Sequence, residues 1–139
     1  MHYRYHVLLV IVTLAACVLL ISPGNTWWVS DSSNLLGGTD ETDTRGHIAL
    51  FAVLTLAWAW TLRHRWAKPW TSYLVVGASG IALGAITEVA QHFIPERGSN
   101  LTDFGADVLG TLIGVVLAAL FIRWLERKKT PAKQPVESS

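Results

Sequence analysis

The residues of this chain that can do chemistry stand at four-residue intervals. Asp43 is followed by His47, Glu88 by His92 with Gln91 between, and Asp103 by Asp107; Arg97 lies between the last two pairs. Helical residues four apart share a face, so each pair would present two polar groups side by side. Carboxylates with one imidazole offer hard oxygen ligands and a borderline nitrogen, a set suited to a divalent metal ion held by His47, Glu88, Asp103 and Asp107. The same four residues are the catalytic candidates, His47 as acid or base. Asp43, Gln91, His92 and Arg97 are the candidates for substrate contact. Asp43 can also orient His47, and the Arg97 guanidinium can grip a phosphate with two parallel hydrogen bonds. Acyl-enzyme chemistry is disfavoured, since no serine stands in an obvious triad and the single cysteine, Cys17, lies inside an apolar run remote from the pairs.

Plainer roles compete with these. Asp43 reads equally as a first-turn acid or cap of a helix, shared with Thr42 or Thr44, and Asp103 or Thr102 can cap the helix that follows. Asp107 is a full turn too deep for capping. Glu88 is set between Ile86-Thr87 and Val89-Ala90, where a carboxylate needs a partner or water; a structural ion pair with Arg97 or a histidine would serve. His47 and His92 can be packing histidines.

The elements that must position these groups are apolar. Of 139 residues, 51% are hydrophobic and 15% charged, against roughly 25% charge in an ordinary soluble domain. Four runs account for this: Val7–Ile21, Ile48–Leu62, Trp70 to about Thr87, and about Val108–Ile122. Aromatic, Gly and His residues at their flanks extend each toward the roughly 20 residues that cross a bilayer. None shows the polar stripe of a helix on a soluble protein's surface. Leu14-Ala15-Ala16-Cys17 has the spelling of a lipoprotein cleavage box, but the run continues apolar to Ile21, so a retained helix is expected. Gly80 and Gly84, and again Gly110 and Gly114, offer small faces for close helix contact.

Charge orients the bundle. Arg4, Arg63, Arg65, Lys68, Arg123, Arg127, Lys128, Lys129 and Lys133 fall on one side if all four runs span, while Arg45 and Arg97 fall on the other with most of the acids. The expected fold is therefore an all-α integral membrane bundle of four transmembrane helices with both termini cytoplasmic. The expected organisation is a first transmembrane helix over 1–22, an outer loop over 23–45, a three-helix core with an outward-facing polar site over 46–122, and a basic, then disordered cytoplasmic tail over 123–139. Nucleic acid is excluded as a partner, because the basic residues form small clusters beside apolar runs.

Asp43-Thr44-Arg45-Gly46-His47, then Glu88-Val89-Ala90-Gln91, then Arg97, Asp103, Asp107, Gly110 and Gly114 follow the order and spacing of a known pattern. Over roughly residues 40 to 120 the chain resembles the VanZ-like membrane proteins, named after a teicoplanin-resistance accessory protein. That pattern resembles Asp-Lys-x-x-His, Glu-x-x-Gln, a downstream Arg, and Asp-x-x-x-Asn-x-x-Gly. This chain has Thr44 for the Lys and Asp107 for the Asn. The resemblance implies a bacterial inner-membrane protein of the cell envelope, with antibiotic resistance as one context.

The expected function is an accessory protein that binds a lipid-linked or anionic envelope component at the outward-facing site. The alternatives are a membrane-embedded, metal-assisted enzyme acting on a lipid-linked phosphate, and a small transporter. A mid-membrane binding site, which a transporter usually needs, is not evident. Expected partners are membrane lipids, a lipid-linked phosphate or cell-wall precursor, and a second copy of the chain.

Overall fold

The structure is a computed structural model that describes residues 2–22, 26–27, 40–66, 68–94 and 100–129. Among these the chain forms four long helices: α1 (His2–Ile21), α2 (Asp40–Leu62), α3 (Pro69–Gln91) and α4 (Leu101–Lys129). α2, α3 and α4 are long and apolar enough to cross a membrane, while α1 contributes a shorter apolar stretch, Tyr5–Ile21.

The distribution of side chains is that of a membrane protein. Leu8, Val53, Leu74, Ile86 and Leu120 are among many large apolar residues that face outward, whereas His47, Thr55, Ser72, Glu88, Gln91, Asp107 and Thr111 are buried. In water this would be the costly arrangement; in lipid, apolar side chains lose nothing by facing out, and polar ones must find partners inside.

The helix ends explain where the apolar runs and the helices part company. Pro69 starts α3 at its first position, where its missing N–H costs nothing, after an extended Lys68. α4 begins at Leu101, well before the apolar run at Val108, because Asn100 caps it. The Asn100 side-chain oxygen accepts the Thr102 N–H at 3.0 Å, and its carbonyl accepts Asp103 N–H at 2.9 Å. This corrects the expectation that Thr102 or Asp103 is the cap, and it releases the Asp103 carboxylate for another partner. α4 also continues past Ile122 through the basic stretch to Lys129, since cations suit a helix C-terminus and no proline intervenes before Pro131.

α2 and α4 form the most extensive helix pair, with α3 packed on α4. Glycines set both contacts. A Cβ at Gly110 would meet the Ile48 backbone and Phe51 Cβ, and one at Gly114 would meet Ala52 O at 2.5 Å and Thr55 Cβ at 2.8 Å. Position numbers rise together, so α2 and α4 are parallel. On the other side, Gly84 makes room for Asp107 and Gly80 for Thr111; those numbers run oppositely, so α3 is antiparallel to α4. α1 is tied on by side chains: Trp58 Nε1 donates to Thr13 Oγ1 at 2.9 Å.

Candidate functional site

With α2 and α4 parallel and α3 reversed, the start of α2, the end of α3 and the start of α4 meet at one end of the bundle. There the His47 ring nitrogen Nδ1 lies 2.8 Å from Asp107 Oδ1, both side chains being buried. With Asp107 as the accepting carboxylate, Nδ1 is the donor, and Nε2 is the ring nitrogen left for another partner. Thr44 Oγ1 donates to Asp103 Oδ1 at 3.1 Å. Glu88 Oε2 accepts the backbone N–H of Asn100 at 2.9 Å, so the residue that caps α4 also pins the carboxylate of α3.

Two groups of ligand-bearing atoms result. One from each of His47, Glu88 and Asp107 lie within 4.8 Å of one another, all three residues being buried, and a second group joins Asp43, His47 and Asp103. In the buried group two carboxylate oxygens, Glu88 Oε1 and Asp107 Oδ2, have no hydrogen-bond partner among the described residues. Burial of an unpartnered carboxylate oxygen is expensive, and a divalent cation held by both residues would relieve both. The donor set thus fits a divalent ion.

Of the residues expected at the site from sequence, Asp43, His47, Glu88, Asp103 and Asp107 are brought together. His92 is exposed one turn beyond Glu88, edge-on to Phe93 with ring centroids 5.4 Å apart. Gln91 is turned away: it is buried, and its Nε2 donates to the Leu20 carbonyl at 2.8 Å, fastening the end of α1 to α3. Arg97 lies outside the described residues, as does the 95–99 segment that carries it. Three residues that the sequence reading passed over as functional also shape the site. Thr44 holds Asp103, Asn100 holds Glu88, and Gly84 admits the Asp107 carboxylate against α3, where a Cβ would stand 3.0 Å from Oδ2. Asn100 carried a readable signal, an Asn just ahead of a helical run with an acid three residues on.

The position of Gln91 gives a first prediction. Gln91→Leu leaves the Leu20 carbonyl unpaired and is expected to cost about 1–3 kcal/mol, read as a lower melting temperature in detergent. Metal content should be unchanged. Unaltered melting with lost ligand binding would return Gln91 to substrate contact.

Beside the site, between the end of α3 and the start of α4, runs an open groove of about 550 Å³. Glu88, His92 and Asn100 give it a polar side, and Val89, Phe93, Leu101 and Phe104 an apolar one.

A helical bundle with lipid-facing apolar surfaces and an acid–imidazole cluster buried at one end defines a polytopic membrane protein with a site at the bundle's end. The chain matches the VanZ/LLP1 family over residues 7–122, and it belongs to that family. Comparison with curated proteins and with solved structures gave no match.

Proposed function

We propose that this chain is a membrane-embedded, metal-assisted enzyme acting on a lipid-linked phosphate of the bacterial cell envelope. The observation that carries the reading is the pair of buried, unpartnered carboxylate oxygens, Glu88 Oε1 and Asp107 Oδ2, on two residues whose carboxylates lie with a His47 ring nitrogen in one group of atoms within 4.8 Å of one another. Glu88 and Asp107 would hold the ion beside His47, which keeps its free ring nitrogen for proton transfer, with Asp103 and Asp43 adding charge through the second group. When bound, a divalent cation supplies neutralisation of a phosphate's negative charge.

The chain's own residues do the rest. Asp107 holds the His47 ring and its Nδ1 proton, which leaves Nε2 to take the proton of an attacking water or hydroxyl while the phosphorus–oxygen bond to the leaving group breaks. Asn100 fixes the Glu88 carboxylate through its backbone N–H. Arg97 is assigned to the phosphate and His92 to the groove mouth. The groove's apolar wall, with Phe93 and Leu101 among the most exposed large hydrophobic residues, suits a lipid tail next to a polar head at Glu88.

The test is phosphate release from a polyprenyl diphosphate by purified protein in mild detergent with Mg²⁺, Mn²⁺ or Zn²⁺. Release that EDTA abolishes and added ion restores is expected. Lipid binding without release under any ion would make the chain an accessory binding protein instead.

The proposed orientation has all four helices spanning the inner membrane, with both termini cytoplasmic and the site facing the extracytoplasmic side. It rests on the lysine and arginine asymmetry. Alkaline-phosphatase fusions should be inactive at the C-terminus and active near Ser33. An active C-terminal fusion would invert the site to the cytoplasmic face.

A further inference from the structure

The opposite end of the bundle carries a second cavity, independent of the acidic site. It measures about 360 Å³ and lies between the start of α1 and the end of α2. Four of its lining residues are basic or can become so: His6 from α1, and Arg63, His64 and Arg65 from the turn after α2. Among the described residues lining it none is acidic. Trp60 forms one wall, with the Arg63 guanidinium stacked 3.9 Å from its ring centroid. Arg63 also donates to the Trp60 carbonyl, which fixes the arginine in place. The turn is closed by Arg65 N–H to the Leu62 carbonyl at 2.9 Å.

A solvated face of scattered cations would explain charge on this side, but it would not explain a concave site. Here two guanidinium and two imidazole groups line one hollow at the end of apolar helices. A planar guanidinium group donates two parallel hydrogen bonds to two oxygens of a phosphate. Tyr5 and Trp60 place amphipathic rings on the cavity wall, as suits a site at a membrane–water interface, and Leu8 and Ile11 expose apolar surface further along α1. A neighbouring hollow of about 180 Å³ shares Arg63 and His64, but Glu126 lines it, which disfavours an anion there. We infer that the cavity formed by His6, Trp60, Arg63, His64 and Arg65 is a binding site for the phosphate of an anionic membrane lipid, with the acyl chains lying along α1. A free phosphate ion would satisfy the guanidinium groups but would leave the apolar approach along α1 unused.

The experiment is native mass spectrometry of the full chain in mild detergent, titrated separately with phosphatidylglycerol, phosphatidylcholine and inorganic phosphate. Phosphatidylglycerol should be retained at least tenfold more tightly than phosphatidylcholine, and inorganic phosphate should not displace it at millimolar concentration. The double variant R63Q/R65Q should lose that preference, and R127Q/K128Q, which removes equal charge from the end of α4, should keep it. H6Q, a milder change on another helix, should weaken retention several-fold and guards against a misfolded double variant. Equal loss in both double variants would reduce the effect to general charge and overturn the site. Full retention in R63Q/R65Q and H6Q would overturn it as well, and displacement by millimolar phosphate would overturn the lipid as its ligand. None of these readings depends on metal or turnover at the acidic end.

Discussion

Glu88→Gln and Asp107→Asn are each expected to abolish metal-dependent turnover while leaving the metal-free protein at least as stable as the parent. The two effects have one cause. In the metal-free state Glu88 Oε1 and Asp107 Oδ2 are buried without a hydrogen-bond partner among the described residues. An amide in place of either carboxylate keeps the existing acceptor. The amide oxygen at position 88 can still take the Asn100 N–H, which Glu88 now holds at 2.9 Å, and the amide oxygen at position 107 can still face His47. The new amide removes one of two buried negative charges whose carboxylates come within 4.8 Å, and its N–H₂ is a donor that the remaining carboxylate can accept, a hydrogen bond worth about 1 kcal/mol. Melting of the metal-free variants in detergent should therefore rise or hold. With metal the order reverses. Changing a group that merely orients a ligand already costs about 10–100-fold in metal affinity or activity, so removing a ligand should cost at least that. Metal content by elemental analysis and phosphate release should fall together. A purely structural polar pair predicts the opposite: no metal in the parent, and variants that melt lower. That result would sink the metal-site reading.

What was legible in the sequence was the end of the bundle at which chemistry gathers, and the reason is geometric. Four-residue spacing puts Asp43 with His47 and Asp103 with Asp107, and alternating helix directions carry Glu88 to the same end. What the sequence left open was which groups meet. His47 reaches Asp107 and Thr44 reaches Asp103 across 60 and 59 residues, and those pairings depend on the register of α2 against α4. The small faces at Gly110 and Gly114 were readable, but their opposite partners, the backbones at Ile48 and Ala52, are not encoded in any spacing along one helix. Gln91 shows the same gap from the other side. Three residues from Glu88, it stands on a neighbouring flank of α3, close enough to be read as part of the site, yet the carbonyl of Leu20 claims it. The reach of α4 beyond its apolar run was hidden for a different reason: capping by Asn100 and the basic last turns start and finish a helix without contributing hydrophobicity.

Register is therefore where a single substitution should do the most damage. Gly110 lies one turn below Asp107 and packs on the Ile48 backbone, next to His47. A Cβ there would meet the Ile48 carbonyl oxygen, with Ile48 Cα and Phe51 Cβ each at 3.0 Å. Main-chain atoms of a helix cannot swing aside as a side-chain tip can, so α2 and α4 must separate. Gly110→Val is expected to cost about 3 kcal/mol or more, the upper end of what overpacking a close contact does. It should also draw His47 away from Asp107, so that metal retention fails even in molecules that stay folded. Gly105 is the matched control on the same helix. It is exposed, and a Cβ there meets nothing within 4 Å. Gly105→Ala should only gain helix propensity, about 0.5–1 kcal/mol, and should melt higher with metal content intact. Thermal melting in detergent beside elemental analysis reads both variants. Parent-like melting and full metal retention in Gly110→Val would show that the α2–α4 contact does not set the site, and that the closeness of His47 to Asp107 has another origin.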